Sequence, residues 1–580
     1  MTNASRAARW ALPALLAVAG PAFAGLEVSV NGIDGEERAN VEARLSILGY
    51  ANEDGDEEAE VRRLHRRAED DIRGALEACG YYAPRVRSRL SGKGRDWKAS
   101  YTVEPGEPTL LGTVTLEVIG GGAEFPPIKQ VVDDNRLRPG KRLQHALYEG
   151  TKTALARAAF DNGFLDARFT AHTLRVDPQQ RRADVELRFD TGARYFFGDV
   201  TVVQELLDPG FVRRYIPIRT GEPFQPALLV QSQFALSDLG YFANVEVQPH
   251  RERAADQHVP ITITTTPRRP QRYDIGPGYG TDTGARLSLG AEFRRLNDTG
   301  HRLRTDLRLS EFKSSVGADY RIPLGTRAGE NFGVATSYTD EKAGDGFSRR
   351  YGFAFTLSRT PGDWQRQLYV KHTYEQQLLP DTGLASAKLL LPGLTLTRGA
   401  FDDAIYARLG WSVFFDVHGG TEAVVSDATF LQARTLLRGA LPLGERGRLL
   451  LRTELGATSM DEFEDLPASQ RFFAGGDLSV RGYGYQSLGP KDAATGEVKG
   501  GPYLTTYSVE GEYTVYGNWG AAVFFDAGGA DNDANPPLAF GTGVGLRYRA
   551  PVGTLQLDLA HPLTGDEGGV RVHIGIRVGL

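Results

Sequence analysis

A chain of 580 residues exceeds any ordinary single domain and has room for three or four separate cores. Its formal charge of −6, from 67 basic and 73 acidic residues without a concentrated basic patch, argues against a nucleic-acid binder. The single cysteine, Cys79, excludes an intrachain disulfide, so stability must come from packing and strand pairing. The chain opens with Arg6 and Arg9, an apolar run from Trp10 to Ala19, and Ala22-Phe23-Ala24, the three parts of a secretory signal over residues 1–24. That run is shorter than the ~17 residues a spanning helix needs, which disfavours a permanent anchor.

Three stretches then repeat: LEACGYYAPRVRSRL from Leu76, AFDNGFLDARFTAHTL from Ala159 and ALSDLGYFANVEVQP from Ala235. Each ends a helical pattern, turns at a glycine (Gly80, Gly163, Gly240) and continues as an alternating strand. The glycines stand 83 and 77 residues apart, a domain-sized period. Each unit opens on a strand-like run, at Leu26, Leu111 and Phe197. Val61, Leu64, Ala68, Ile72, Leu76 and Cys79 recur at three and four residues, one face of a helix, which makes Cys79 a buried small hydrophobe. Glycine after the last turn suits a left-handed C-cap. The pattern predicts α+β modules of strand, helices, strand, strand over 25–106, 107–192 and 193–268. These units resemble POTRA modules, the periplasmic domains of outer-membrane assembly factors, and that resemblance implies capture of extended client strands along a sheet edge.

From 269 to 580 the pattern changes. No run approaches 18 apolar residues, yet many segments alternate apolar and polar positions, as strands of a transmembrane antiparallel β-barrel do. Val570, Val572, Ile574, Ile576, Val578 and Leu580 alternate with Arg571, His573, Gly575, Arg577 and Gly579. Leu303, Leu307 and Leu309 alternate with Arg302, Arg304, Asp306 and Arg308; Leu555, Leu557 and Leu559 with Gln556 and Asp558; Val509, Tyr513 and Val515 with Glu510, Glu512 and Thr514. One face meets water and the other an apolar phase, which accounts for a mean hydropathy of −0.33 in a membrane protein. A soluble sandwich would hide the aliphatic face in a core, but the charge opposite is too dense. Twelve, sixteen or eighteen strands of about ten residues all fit the length. Closure requires the first strand, near Tyr273 to Leu289, to meet the last, Val570 to Leu580.

One glycine-rich segment, DLSVRGYGYQSLGP from Asp477, holds an arginine, Arg481. Within Val480-Arg481-Gly482-Tyr483 the glycine permits a tight turn, and a loop folded into the lumen would present Arg481 to inward carboxylates. Alternation puts Phe524 and Asp526 on one face, and Glu510 on the lumen face of the preceding strand. A glycine-rich turn with a solvated arginine is the alternative these residues leave open.

SVRGYGY and FFDAG are similar to paired motifs of the barrel-assembly and two-partner-secretion superfamily. With three modules and GYGTDTGARLSLGAEFRRLNDTGH from Gly278, the chain looks most like the TamA family, the outer-membrane subunits of translocation and assembly modules. This resemblance implies sixteen strands, Arg481 docked toward Asp526 and Glu510, an inner-membrane-anchored TamB-like partner, and outer-membrane or autotransporter-like clients. The terminal Leu580 departs from the aromatic ending usual for such barrels.

Gly276-Gly278-Gly280 and Gly541-Gly543-Gly545 sit in strand-like surroundings, unlike a nucleotide loop. His372, His418 and His561 show no metal or catalytic spacing, so neither an enzyme nor a cofactor is expected. The reading is a non-enzymatic client-inserting barrel in a Gram-negative outer membrane, its modules in the periplasm. A two-partner-type secretion pore exporting a soluble polypeptide is the alternative, and a passive porin a more distant one.

Overall fold

The computed structural model describes residues 25–53, 57–94, 96–280, 284–311, 313–325, 327–343, 346–379, 383–460, 462–463, 466–493, 496–551, 553–565 and 569–577. Residues 1–24, where a signal segment is expected, and Leu580 lie outside the described residues. Leu26 to Pro267 form three copies of one strand, helices, strand, strand unit, with three helices in the first copy and two in each of the others. The first comprises β1 (Leu26–Asn31), α1 (Gly35–Arg44), α2 (Ser46–Asn52), α3 (Glu58–Ala78), β2 (Arg85–Lys93) and β3 (Asp96–Glu104). The second comprises β4 (Leu110–Ile119), α4 (Pro126–Asp133), α5 (His145–Asp161), β5 (Arg168–Asp177) and β6 (Arg182–Asp190). The third comprises β7 (Phe196–Val203), α6 (Pro209–Arg213), α7 (Pro226–Ser237), β8 (Phe242–Pro249) and β9 (His258–Pro267).

The sheet orders are β1-β3-β2, β4-β6-β5 and β7-β9-β8, so the last strand of each copy is central. Among the described residues β2, β5 and β8 are edges with no further strand beside them, while β4 and β7 bond at their starts to the chain at 140–143 and 221–224. Central strands bury every second residue: Trp97, Ala99, Tyr101 and Val103; Ala183, Val185, Leu187 and Phe189; Val259, Ile261 and Ile263. Helix α3 lays Val61, Leu64, Ala68, Ile72 and Leu76 on the first of these faces, and Cys79 is buried just beyond it.

Each repeat glycine closes a helix and sits where one module meets the next. Gly80 (φ 89°) ends α3 with its N–H donating to the Glu77 carbonyl at 2.9 Å, while Tyr81 N–H donates to Leu76 at 2.9 Å. Gly163 (φ 88°) closes α5 in the same way, with Phe164 N–H on the Ala159 carbonyl at 3.0 Å. Gly240 (φ 71°) follows α7. The Gly80 carbonyl accepts from Thr109 N–H at 2.8 Å, and the Gly163 carbonyl from Tyr195 N–H at 2.7 Å. A Cβ on Gly80 would strike the Leu143 carbonyl, and one on Gly163 would lie 2.7 Å from the Phe224 carbonyl oxygen.

The aromatic after each glycine receives an arginine from the following unit. Guanidinium carbons stand 5.3 Å (Arg142 on Tyr81), 5.9 Å (Arg194 on Phe164) and 4.3 Å (Arg302 on Tyr241) from the ring centres, within cation–π range. Arg142 also donates to Tyr81 Oη at 2.9 Å and pairs with Glu37. Arg302 donates to Tyr241 Oη at 3.2 Å and to the Leu239 carbonyl. The motif that marks the repeat is therefore a joint.

Sixteen antiparallel strands follow in sequential order. They are β10 (Gln271–Gly280), β11 (Gly284–Phe293), β12 (Arg302–Ser310), β13 (Lys313–Pro323), β14 (Asn331–Ala343), β15 (Gly346–Arg359), β16 (Gln365–Leu379), β17 (Gly383–Phe401), β18 (Gly410–Gly420), β19 (Phe430–Leu443), β20 (Gly447–Met460), β21 (Tyr503–Tyr516), β22 (Trp519–Asp531), β23 (Ala539–Ala550), β24 (Gly553–Pro562) and β25 (Arg571–Arg577). No helix among the described residues is long and apolar enough to cross a membrane. The outer face carries the aliphatic stripes, with Leu289, Leu307 and Val316 in register across three strands. Tyr338, Tyr351 and Tyr374 form an aromatic row, with successive ring centres 4.9 and 6.3 Å apart.

The sheet curls until β10 and β25 bring Cα atoms within 8 Å of each other, but no backbone ladder joins them among the described residues. Tyr273 to Leu289 corrects to a hairpin, in which Tyr273 lies on β10 at the seam and Leu289 on β11, paired with Ile275. The alternation runs in phase through both arms, which hides the break between them from a pattern reading. Val570 precedes β25.

Candidate functional site

The segment between β20 and β21 is the longest connection in the barrel, and it turns inward. Arg452 on β20 holds it by the backbone, donating to the carbonyls of Leu478 and of Ser479, the latter at 2.7 Å. Val480 and Tyr483 are buried. Gly482 adopts φ 99°, and a Cβ there would lie 2.9 Å from the His561 carbonyl carbon, so the loop backbone passes close against β24. Tyr483 Oη donates to the Phe540 carbonyl at 3.0 Å and accepts from Thr564 N–H at 3.1 Å.

Arg481 lies at the centre, 6% exposed. Its Nε and Nη2 make a fork onto Asp526 Oδ2 and Oδ1 at 2.7 and 3.0 Å, and its own backbone N–H reaches Oδ2 at 3.1 Å. Nη1 donates to Glu510 Oε2 at 2.7 Å and Asp558 Oδ2 at 3.1 Å. The guanidinium carbon sits 3.4 Å from the Phe524 ring centre, a stacked cation–π contact. Ser508 Oγ donates to Asp526 Oδ1 at 2.7 Å. Arg481 is therefore not a solvated turn residue.

Three more arginines extend the cluster. Arg547 on β23 donates to Glu510 Oε1 at 2.9 Å and also meets Asp558 and Glu512. Arg577 on β25 reaches Glu510 at 3.2 Å and Glu512 at 3.3 Å. Arg448 on β20 donates to Glu512 Oε2 at 2.7 Å and to the Ala407 carbonyl at 2.7 Å. Arg448, Arg481, Arg547 and Arg577 thus face Glu510, Glu512, Asp526 and Asp558, four cations against four anions. Charges removed from water need such mutual compensation, because an unpaired one costs several kcal/mol.

The structure brings Val480, Arg481, Gly482, Tyr483, Asp526, Phe524 and Glu510 together. Gly80, Gly163 and Gly240 lie at the module joints, and Tyr273 and Val570 beside the seam. Sequence reasoning missed Asp558, Arg547, Arg577, Arg448 and Ser508 as parts of the site. Asp558 and Arg577 are visible as polar members of alternating strands, but nothing in alternation places them level with Arg481. Among the described residues no group of His, Cys, Asp and Glu is arranged to hold a metal ion.

Repeated edge-presenting modules ahead of a sixteen-stranded barrel, with an arginine loop docked inside, define a modular outer-membrane β-barrel with its modules in the periplasm. Residues 296–580 match the Omp85 superfamily domain, residues 27–105 match "POTRA domain TamA domain 1", and residues 195–268 match a POTRA unit described as "Surface antigen variable number repeat". The C-terminal half is an Omp85 superfamily domain, and the chain carries POTRA domains ahead of it. It is 23% identical over 377 residues to outer membrane protein assembly factor BamA of Nitratidesulfovibrio vulgaris, covering 62% of this chain and 47% of that protein. It is 22% identical over 426 residues to BamA of Neisseria meningitidis serogroup B, covering 67% and 52%. The chain spans about half the length of these relatives. BamA from Haemophilus ducreyi lacking POTRA domains 1-3 shares the fold at 16% identity and TM-score 0.65, over 80% of this chain and 99% of that one.

Proposed function

We propose that this protein is a non-enzymatic factor that assembles or translocates clients at the outer membrane. Its POTRA edges capture an extended client segment, and the barrel seam guides that segment into the bilayer. The observation that carries the reading is the seam: β10 and β25 lie side by side without a ladder among the described residues. An unpaired strand edge in hydrocarbon costs several kcal/mol per polar group, so a strand supplied by a client would be stabilised there. Autotransporter-like outer-membrane proteins fit this chemistry as clients. A TamB-like, inner-membrane-anchored protein fits as the partner that delivers them to the free POTRA edges.

Cysteine pairs, one residue within Gln271–Pro277 and one within Arg571–Arg577, in a Cys79→Ala background test this. Oxidation is expected to abolish client insertion and reduction to restore it; full activity with a quantitatively crosslinked seam would refute the reading. Comparing outer-membrane proteomes with and without the protein identifies the clients, and loss of a soluble secreted polypeptide instead would favour an export pore.

A further inference from the structure

The barrel wall has a second discontinuity, far from the seam in strand order. β17 pairs with β16 along Gly383 to Thr397, but with β18 only from Gly393 onward, where Gly393 faces His418. β18 continues alongside β19 as far as Gly420 opposite Phe430. Between these two ladders the edge of β17 from Gly383 to Pro392 parts from β18. Pro392, which has no N–H to donate, and Gly393, Gly419 and Gly420, which lack side chains, stand at the fork.

Backbone groups of Lys388 and Leu390 at the fork are nevertheless bonded. Loop residues Ser426 and Asp427 imitate a strand: Asp427 N–H donates to the Lys388 carbonyl at 2.8 Å, and Lys388 N–H donates to Asp427 Oδ2 at 2.7 Å. Leu390 N–H donates to Ser426 Oγ at 2.8 Å. Below this cap a cavity of about 590 Å³ remains, walled chiefly by Leu390, Pro392, Leu394, Val417, Val424 and Leu431. Leu390, Leu394, Val417 and Leu431 share the outward face, so the cavity is continuous with the lipid-contacting surface. A mainly apolar hollow that opens onto the lipid-contacting surface favours apolar matter over water.

Its depth is fixed by the aromatic row. Tyr338, Tyr351 and Tyr374 are in register, and the next residue in that register is Lys388. Tyrosine marks the level where hydrocarbon gives way to headgroups. β10 starts from the modules at the periplasmic end, so β16 also starts there, and Tyr374 and Lys388 lie toward the outer leaflet. The exposed Lys388 therefore stands at headgroup level, one outward position above Leu390.

We propose that the fork between β17 and β18 is a lipid site: it takes one acyl chain of an outer-leaflet lipid into the cavity, with the lipid phosphate on Lys388. Hydrocarbon is favoured over a client strand because Ser426 and Asp427 already occupy backbone groups at Lys388 and Leu390 that a strand would need.

The test reconstitutes the full-length protein in vesicles of phosphatidylethanolamine and phosphatidylglycerol containing a trace of phosphatidylglycerol with a diazirine near its chain end. Adducts are expected to concentrate on peptides holding Leu390–Leu394 and Val417–Leu431, above the level at outward Val523 and Val544. Val417→Trp and Leu431→Trp, which fill the cavity, should lose this excess while keeping the heat-modifiable gel mobility of a folded barrel. Lys388→Glu, on the surface, should keep the adducts but lower the preference for the anionic probe over a phosphatidylcholine probe by about fivefold. Even labelling of all outward apolar residues overturns the proposal, as does undiminished labelling in the folded tryptophan variants. So does a photo-crosslinker at Val424 that captures polypeptide rather than lipid in cells.

Discussion

Arg481 serves three carboxylates and one aromatic face at once, so its removal should expose how far the loop depends on it. Arg481→Ala leaves Asp526, Glu510 and Asp558 with too few cations, and breaking a buried pair typically costs about 3–5 kcal/mol. Arg481→Lys keeps the charge but loses the planar fork onto Asp526, so it should fall between wild type and alanine. The measurement is the temperature at which heat-modifiable mobility is lost, with protease cleavage of loop 461–502 as the local readout. Asp526→Asn added to Arg481→Ala should cost less than the sum of the single changes, because the surplus negative charge is reduced. Equal stability of all four variants would mean that the loop stays inside without the cluster. The alternation of FFDAG and of the strand through Glu510 is enough, as sequence, to put Phe524, Asp526 and Glu510 on the lumen face. It cannot supply Asp558 or Arg547, because alternation gives the face of a residue but not its height along the barrel. Height comes from strand register, a property of pairs of segments.

The three joints give a test at the level of elements. A left-handed glycine replaced by alanine costs roughly 1–2 kcal/mol from backbone conformation alone. At Gly35 (φ 58°) an added Cβ would meet nothing within 4 Å, whereas at Gly80 the same atom meets the Leu143 carbonyl. Gly35→Ala should therefore show the conformational cost only, and Gly80→Ala that cost plus a displaced second module. Hydrogen exchange at Thr109, whose N–H bonds across this joint to the Gly80 carbonyl, should rise in Gly80→Ala and stay unchanged in Gly35→Ala. The repeat is readable because helix face, glycine and aromatic recur in order within local sequence. Its role as a joint is not, since Arg142, Arg194 and Arg302 lie 61, 30 and 61 positions beyond the aromatics they cover and no fixed spacing announces them. The hairpin of β10 and β11 reads as one strand for the converse reason: local alternation is strong, and only pairing shows the break.

For the whole molecule, the docked loop and the charge cluster place a protein obstruction in a barrel otherwise wide enough to conduct. Wild-type protein in a planar bilayer should show low conductance with brief openings, and Arg481→Ala should show larger or more frequent ones; steady porin-like conductance in both would mean that the loop does not obstruct the lumen. The joints carry a further consequence for the history of such chains. Because each uses the same glycine, aromatic and incoming arginine, a module can be duplicated or excised between matching points, and the severed ends still find a compatible mate. A lineage built this way can lengthen or shorten its reach by recombination, without reinventing the surfaces on either side of the cut.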